Sequence, residues 1–360
     1  MNQGQSTLII AEAGVNHNGS LEMAKSLVDE AKRAGADVIK FQTFKAASIV
    51  SKSAPKADYQ IQQTGADESQ FEMIEKLELD EAAHATLISH CGAAGIQFLS
   101  TPFDRESLDL LAGRFGLSVI KLPSGEITNA PLLLWAAQYG RPIILSTGMA
   151  TLGEVEAALG VLAFGYMHRH ERPTTQGLQE AFCSEEGQAL LRERVTLLHC
   201  TTEYPAPLGD VNLRAMQTLR SAFGLRVGYS DHTQGISVAV AAVALGATII
   251  EKHFTLNRSL PGPDHQASLQ PVELGQMVRA IREVEVALGS DIKRPVAAEL
   301  TNRIIARKSL VAARDILKGE EFTEESLGVK RPGGGTSPFR YWDYLGRKAE
   351  RNYSADEVIE

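Results

Sequence analysis

Paired thiols are missing from this chain: three cysteines, Cys91, Cys183 and Cys200, stand among 360 residues with no C-x-x-C spacing. That argues against a disulfide framework and against a zinc-thiolate site, and leaves buried free thiols as the expectation. Long apolar runs are absent too. No stretch approaches the roughly 18 residues that a membrane-spanning helix needs, and the N-terminus lacks the basic, apolar and small-residue regions of a signal peptide. A cytoplasmic protein is expected. Positive charge is in deficit, with 36 Lys and Arg against 44 Asp and Glu, a net charge of −8. This is the opposite of a nucleic-acid binder's footprint, so any anionic ligand must be met by local cations. Nucleotide-binding glycine loops are missing as well. Glu12 to Ser20 holds no G-x-G-x-x-G, and Gly148 and Gly153 have the Walker spacing but are followed by Glu154 where a lysine is required.

What is present is an ordinary globular composition, 44% apolar and 22% charged, in a length that suits about two domains. Short apolar runs rich in β-branched residues recur, each followed by a polar cluster and a segment of helical periodicity. Eight such runs can be counted: Leu8 to Ala11, Val38 to Phe41, Ile96 to Leu99, Val119 to Leu122, Ile143 to Leu145, Val195 to Leu198, Arg226 to Tyr229 and Thr248 to Ile250. The first following helix has Ser20 as its cap, an apolar stripe of Leu21, Ala24, Leu27, Val28 and Ala31, and Gly35 as its stop. Asp104 and the Thr151/Glu154 pair mark later helix starts. Eight βα units predict an α/β fold, a closed (β/α)8 TIM barrel, over residues 1–288; an open doubly wound sheet would bring the glycine loop that is absent. The pattern stops near Gly289 to Pro295. A linker over 289–300 and a small C-terminal domain over 301–360 are expected, the latter marginal as an independent core. Two stretches are too long for simple loops. Phe164 to Arg194 reads as a solvated insertion, and Lys45 to Ser69 as a loop covering substrate at the active-site face.

If the eight runs are barrel staves, the residues at their C-terminal ends converge on one mouth. In order these are Glu12; Lys40 and Gln42; Ser100 and Thr101; Lys121, Ser124 and Glu126; Ser146 and Thr147; His199 and Thr201; Ser230, Asp231 and His232; Glu251 and His253. Every stave ends in polar or ionisable groups. Lys40 and Lys121 end apolar strands, where an unused charge is costly. With the hydroxyls of Thr101, Ser124 and Ser230 they suit a phosphate and a carboxylate; the competing reading is internal salt bridges to Glu12 and Glu126. His232 and His253 end adjacent staves and can share one divalent metal ion, with positions left for substrate oxygens and water. His84 and His90 read as surface or helix-packing residues. His17 and His265 are second-rank candidates in loops facing the mouth.

These residues also carry a family resemblance. The segments IIAEAGVNHNG (9–19), STPFD (100–104), KLPSGEITN (121–129), ILSTGMA (144–150), YSDHT (229–233), EKHFT (251–255) and GPDHQAS (262–268) together resemble the sialic acid (nonulosonic acid) synthase family. The tail, with SLVAARDILKGEEFT (309–323) and VKRPGGG (329–335), resembles that family's antifreeze-like C-terminal (SAF, β-clip) domain.

The resemblance implies condensation of phosphoenolpyruvate with an N-acetylated mannose-type sugar, giving a nine-carbon 2-keto acid and phosphate. A divalent metal is implied, Mn2+ first, with Mg2+ or Co2+ as substitutes, held by His232 and His253. Glu12 would handle the proton of the attacking water. Lys40, Thr101, Lys121, Ser124 and Ser230 would bind phosphoenolpyruvate, and Gln42, Glu126, Tyr204 and Asp264 the sugar. In a homodimer with exchanged C-terminal caps, Arg331 would reach the sugar's acetamido group.

Thr202 stands where neuraminate synthases carry asparagine, and strand four reads LPSGE rather than G-S-G-E. These features resemble the N,N'-diacetyllegionaminate synthase branch, whose acceptor is 2,4-diacetamido-2,4,6-trideoxymannose, with Gly65 in the covering loop making room for it. N-acetylneuraminate synthesis from N-acetylmannosamine is the alternative. A synthase acting on a phosphorylated acceptor would need a second cation cluster, which the sequence does not show, and a non-catalytic ice or carbohydrate binder would not need the strand-end residues.

Overall fold

A computed structural model describes residues 6–56, 61, 68–168 and 171–360. It divides into two compact units, Met1–Gly289 and Ser290–Glu360.

In the first unit the strands are β1 (Leu8–Gly14), β2 (Val38–Thr43), β3 (Gln97–Pro102), β4 (Ile120–Leu122), β5 (Ile143–Ser146), β6 (Val195–His199), β7 (Arg226–Asp231) and β8 (Ile249–His253). They form one sheet in the order β3-β2-β1-β8-β7-β6-β5-β4, and every described ladder in it is parallel. The direct β1–β8 ladder, with Glu12 opposite His253, rolls the sheet into a barrel, and β3 and β4 flank the seam. All eight strands expected from the sequence are present. Several run further than their apolar runs, because parallel pairing continues through the polar strand ends: Gln42 pairs with Thr101, and Ser230 with Glu251.

The period of two along each strand sorts its residues between two cores. Ile9, Ala11, Ile39, Phe41, Leu122, Leu145, Leu197, Tyr229 and Ile250 belong to the large core between strands and helices. Ile10, Val38, Leu99, Ile144, Leu198 and Ile249 form a separate cluster, the apolar plug inside the barrel. Two residues further along each strand, the same inward parity delivers Glu12, Lys40, Thr101, Ser146, Cys200 and Glu251. The fold therefore stacks a layer of polar and ionisable groups on a layer of aliphatic ones.

The first helix, Leu21–Ala34, follows its sequence signals: Ser20 accepts from the Met23 N–H, and Gly35 closes the helix at φ 89°, a left-handed conformation that suits glycine. The Thr151/Glu154 capping box opens Leu152–Met167. The stretch expected to be a solvated insertion is largely helical instead, with Thr175–Cys183 and Glu185–Arg194 packed on Leu152–Met167. Ala181 and Leu191 are buried there, so charges on the outer faces masked an apolar inner stripe. Cys91 and Cys200 are buried thiols as expected, but Cys183, at the end of one of these helices, is exposed.

The second unit contains the helix Ala297–Ala306 and an antiparallel pair, β9 (Ser309–Ala312) and β10 (Leu327–Lys330). Its core is Leu310, Ala312, Ile316, Phe322, Leu327, Ala349, Tyr353 and Ile359. The helix crosses the expected linker boundary at residue 300. It is amphipathic yet buries no residue, leaving Leu300, Ile304 and Ile305 exposed. No helix among the described residues is long and apolar enough to cross a membrane.

One buried ion pair ties β7 to β8 on the outward side. Lys252 Nζ lies 2.9 Å from Asp231 Oδ2 with both side chains fully buried, and the Thr233 N–H and hydroxyl donate to Asp231 Oδ1 at 2.9 and 2.8 Å. Removing one partner of a buried pair leaves an uncompensated charge, at a cost of about 3–5 kcal/mol. Lys252→Met is therefore expected to lower the unfolding free energy by about that amount in urea titrations; a loss below about 1 kcal/mol, the range of a surface pair, would contradict the buried assignment.

Candidate active site

The inward polar layer opens into a cavity of about 300 Å3 at the C-terminal ends of the strands. Its floor is a group of four buried charges. Lys40 Nζ, from β2, lies 2.6 Å from Glu12 Oε2 of β1 and 3.7 Å from Glu251 Oε2 of β8. Lys121 Nζ, from β4, lies 3.6 Å from Glu251 Oε1. Hydroxyls complete the floor: Lys40 donates to Thr101 Oγ1 at 3.0 Å, Lys121 to Ser146 Oγ at 2.8 Å, and Ser230 Oγ to Glu251 Oε1 at 3.0 Å.

Burial penalises each charged form, and the neighbours decide the outcome. Burial raises Glu12 above the usual carboxylate range despite the opposing Lys40. For Glu251 burial also acts upward, but the Lys121 and Lys40 ammonium groups outweigh it and hold the carboxyl low. Lys40 is raised because its two carboxylates overcome desolvation, whereas for Lys121 desolvation prevails and lowers it. The competing reading from the sequence was half right. Lys40 does pair with Glu12, but the partner of Lys121 is Glu251. Glu126, in the 3-10 turn Ser124–Glu126, turns its carboxylate to Asn129 Nδ2 at 2.6 Å and does not line the cavity.

Above the floor stand three rings. Tyr204 lies 4.2 Å from His232 and 5.5 Å from His253 between centroids, and the two imidazoles are 5.5 Å apart. His232 Nδ1 donates to the Thr201 carbonyl at 2.6 Å, which fixes the tautomer and leaves Nε2 as the acceptor nitrogen, 3.4 Å from Ser230 Oγ. His253 Nδ1 is buried without a hydrogen-bond partner, with Asp264 Oδ2 3.9 Å away. Burial lowers His232 to about 4 and His253 well below its ordinary value, so both are neutral near pH 7. Asp264 is pushed up to about 6 by burial. No group of three or more His, Cys, Asp or Glu able to hold a metal occurs among the described residues. The protein donor set is therefore two neutral imidazoles, one with a buried, unpartnered nitrogen, which fits a cation completed by water or substrate oxygens.

The structure brings Gln42, Ser124, Ser230, Tyr204 and Asp264 to the same cavity. Gln42 Nε2 donates to Glu12 Oε1 at 3.3 Å. Ser124 Oγ accepts from the Gly148 N–H at 3.0 Å and lies 3.1 Å from Cys200 Sγ. Gly148 must be glycine: a Cβ there would meet Thr202 Oγ1 at 2.4 Å and Ser124 Oγ at 2.8 Å. Phe44 and Ile49 on one side of the long β2–β3 connection, and Met73, Ile74 and Leu77 on the other, form an apolar wall, as a covering segment should. Gly65 lies outside the described residues.

His17 and His265 do not line the cavity. His17 accepts from the Gly19 N–H, and His265 is held by Thr255 at 2.7 Å. Both are fully buried, and burial lowers each to about 4. His84 is a helix-packing residue bonded to Thr43 Oγ1 at 2.7 Å, and His90 pairs with Asp29 at the surface.

Among the inward residues at the strand ends, three that line the cavity had no role assigned from the sequence: Ser146, Cys200 and Glu251. Strand parity is the signal that finds them, since each lies two residues beyond an inward aliphatic residue, Ile144, Leu198 and Ile249 respectively.

Comparison with known proteins places the chain in a family. The NeuB family profile matches residues 27–293, and the SAF domain profile matches residues 307–360. The chain is 53% identical to the N,N'-diacetyllegionaminic acid synthase of Campylobacter jejuni, over 98% of each chain. It is 45% identical to the enzyme of the same name from Legionella pneumophila, over 98% of this chain and 92% of that one. A crystal structure of N-acetylneuraminic acid (sialic acid) synthetase from Leptospira borgpetersenii superposes with a TM-score of 0.66 at 32% identity, covering 83% of this chain and 90% of that one. A barrel with this charged floor, followed by a matched SAF domain, belongs to the NeuB family.

Proposed function

We propose that this chain is an N,N'-diacetyllegionaminate synthase, condensing phosphoenolpyruvate with 2,4-diacetamido-2,4,6-trideoxymannose in its open aldehyde form. The observation that carries the reading is the 53% identity to a synthase of that name over nearly the full length of both chains. The cavity supplies the groups the reaction needs.

Phosphoenolpyruvate is a compact polyanion, and Lys40 and Lys121 are the cations of the cavity floor. On binding, the ligand's oxygens take over part of what Glu12 and Glu251 provide to the two ammonium groups, and Thr101, Ser124, Ser146 and Ser230 donate hydroxyls. C3 of the enol then forms a bond to the aldehyde carbon as the carbonyl π pair moves to the aldehyde oxygen, which becomes a hydroxyl by taking one of the two protons of the capturing water; the other leaves on the phosphate. C2, left with cationic character, is captured by water. Glu12, raised by burial toward the range useful for proton transfer, accepts a proton from that water. The tetrahedral carbon collapses to the ketone as the C2–O bond breaks, and phosphate leaves with the bridging oxygen against Lys40 and Lys121. His232 and His253 would hold a divalent metal ion, manganese first, whose chemistry when bound is Lewis-acid polarisation of the aldehyde oxygen. Gln42, Tyr204 and Asp264 orient the sugar.

The cap proposal gains support from the second unit. Leu300, Ile304 and Ile305 on the exposed face of Ala297–Ala306 suit burial against a second copy, and Arg331 follows directly on β10. The homodimer with Arg331 reaching the partner's acceptor site is retained as part of this proposal.

Purified protein given phosphoenolpyruvate, Mn2+ and either the diacetamido sugar or N-acetylmannosamine is expected to release phosphate at least about a hundredfold faster with the former, as kcat/KM. Equal efficiencies, or preference for N-acetylmannosamine, would move the assignment to N-acetylneuraminate synthesis. Chelation followed by desalting should abolish turnover, and Mn2+ should restore it. His232→Ala and His253→Ala should each lose the bound-Mn2+ signal in electron paramagnetic resonance; either variant retaining that signal would refute the ligand assignment.

A further inference from the structure

The barrel mouth holds a second cavity that the reaction above leaves unused. It is a cleft of about 850 Å3 between the segment after β5, the segment after β6 and the helix Ala215–Phe223. Met149, Cys200 and Thr202 line both it and the reaction cavity. The two spaces are therefore separated by one thin wall.

Two features of the wall point to a ligand group passing along it. Thr202 Oγ1 is buried and has no hydrogen-bond partner, a state that costs about 1–3 kcal/mol unless a ligand relieves it. Met149 adopts φ 65° and remains 71% exposed, strain that for a non-glycine residue clusters at ligand clamps.

The chemistry of the cleft excludes the anionic substrate. Its lining contains no lysine or arginine but does contain Glu203 and Asp210. His199, the one side chain of the lining that could become cationic, is lowered by burial and bonded to the Val211 carbonyl at 2.8 Å, so it supplies no positive charge. The occupant is therefore not an anion. Hydroxyls and carboxylates suit an amide, and Leu152, Val155 and Leu219 offer apolar surface for an alkyl end.

We infer that this cleft is an extension of the acceptor site that takes the N-acyl group at C4 of the diacetamido sugar, with Thr202 Oγ1 bonding its amide. The inference rests on the acceptor proposed above, because N-acetylmannosamine has no such group. The cleft is far larger than an acetyl group, so longer acyl chains at C4 should be accommodated.

The test is a series of acceptors bearing acetyl, propanoyl and butanoyl groups on the C4 nitrogen, assayed by phosphate release. In the wild type, kcat/KM should stay within about threefold across the series, since a methylene in a roomy apolar site changes binding by little. Ala215→Trp, which fills the cleft, should make the same series fall at least about tenfold from acetyl to butanoyl. Thr202→Val, which keeps the shape and removes the hydroxyl, should raise KM for the acetyl compound about tenfold with kcat held, the cost of one buried hydrogen bond. Should Ala215→Trp fail to fold, Thr202→Val and the wild-type series decide the matter. A tenfold loss across the series in the wild type, or an unchanged KM in Thr202→Val, would overturn the inference while leaving the condensation intact. Absence of turnover with the C4-acetyl sugar itself would overturn both.

Discussion

Two lysines and two glutamates buried in one barrel mouth are the constraint on which the rest of this structure turns. Charges removed from water cost several kcal/mol each unless they are paired. Here the pairing comes from strands distant in sequence: β1 supplies Glu12, β2 Lys40, β4 Lys121 and β8 Glu251. At separations near 4 Å and an effective dielectric of about 20, each opposite-charge contact contributes on the order of 4 kcal/mol. Only a closed barrel brings these four together, and the aliphatic plug of Ile10, Val38, Leu99, Ile144, Leu198 and Ile249 beneath them keeps water from entering below.

The same group of charges explains how an acidic chain handles an acidic substrate. The lysines are neutralised by carboxylates. On the proposed function, an incoming polyanion would meet ammonium groups already desolvated and oriented, and would leave Glu12 and Glu251 close to new negative charge. Glu12, raised by burial, is the group able to take up a proton in response. Glu251 is held low by both ammonium groups. Pushing two carboxylates in opposite directions by environment alone is a recurrent way of dividing acid–base roles within one site. The cleft beyond Thr202 has the opposite character, with carboxylates and no cations. The mouth thus separates an anion-accepting floor from a neutral, amide-accepting side.

Much of this was legible in the residues. All eight strands could be read because short β-branched runs alternate with capped amphipathic segments, and the site could be read because every run ends in polar groups. The strand-end list mixed two populations, however. Ser100, Asp231 and His199 stand beside Thr101, Ser230 and Cys200 in sequence, and only parity separates an outward structural residue from one that faces the cavity. Asp231 with Lys252 is the clearest case: a fully buried pair whose role is to bind β7 to β8 on the outward side.

Other features depended on tertiary contacts that local pattern does not encode. His17 and His265 sit beside the mouth in sequence but are drawn into hydrogen bonds beneath it. Glu126 is turned away by Asn129 three residues later. The stretch holding the helices Thr175–Cys183 and Glu185–Arg194 looked like solvated loop because the second helix carries five charges and buries only Gly187 and Leu191.

Calorimetric titration of phosphoenolpyruvate into the wild type, Lys40→Met and Lys121→Met tests the central claim, that the paired lysines of the floor are the anion site. Each substitution is expected to weaken binding by at least about a hundredfold, the scale of a desolvated charge-assisted contact, while circular dichroism shows the barrel retained. Wild-type affinity in both folded variants would contradict the account.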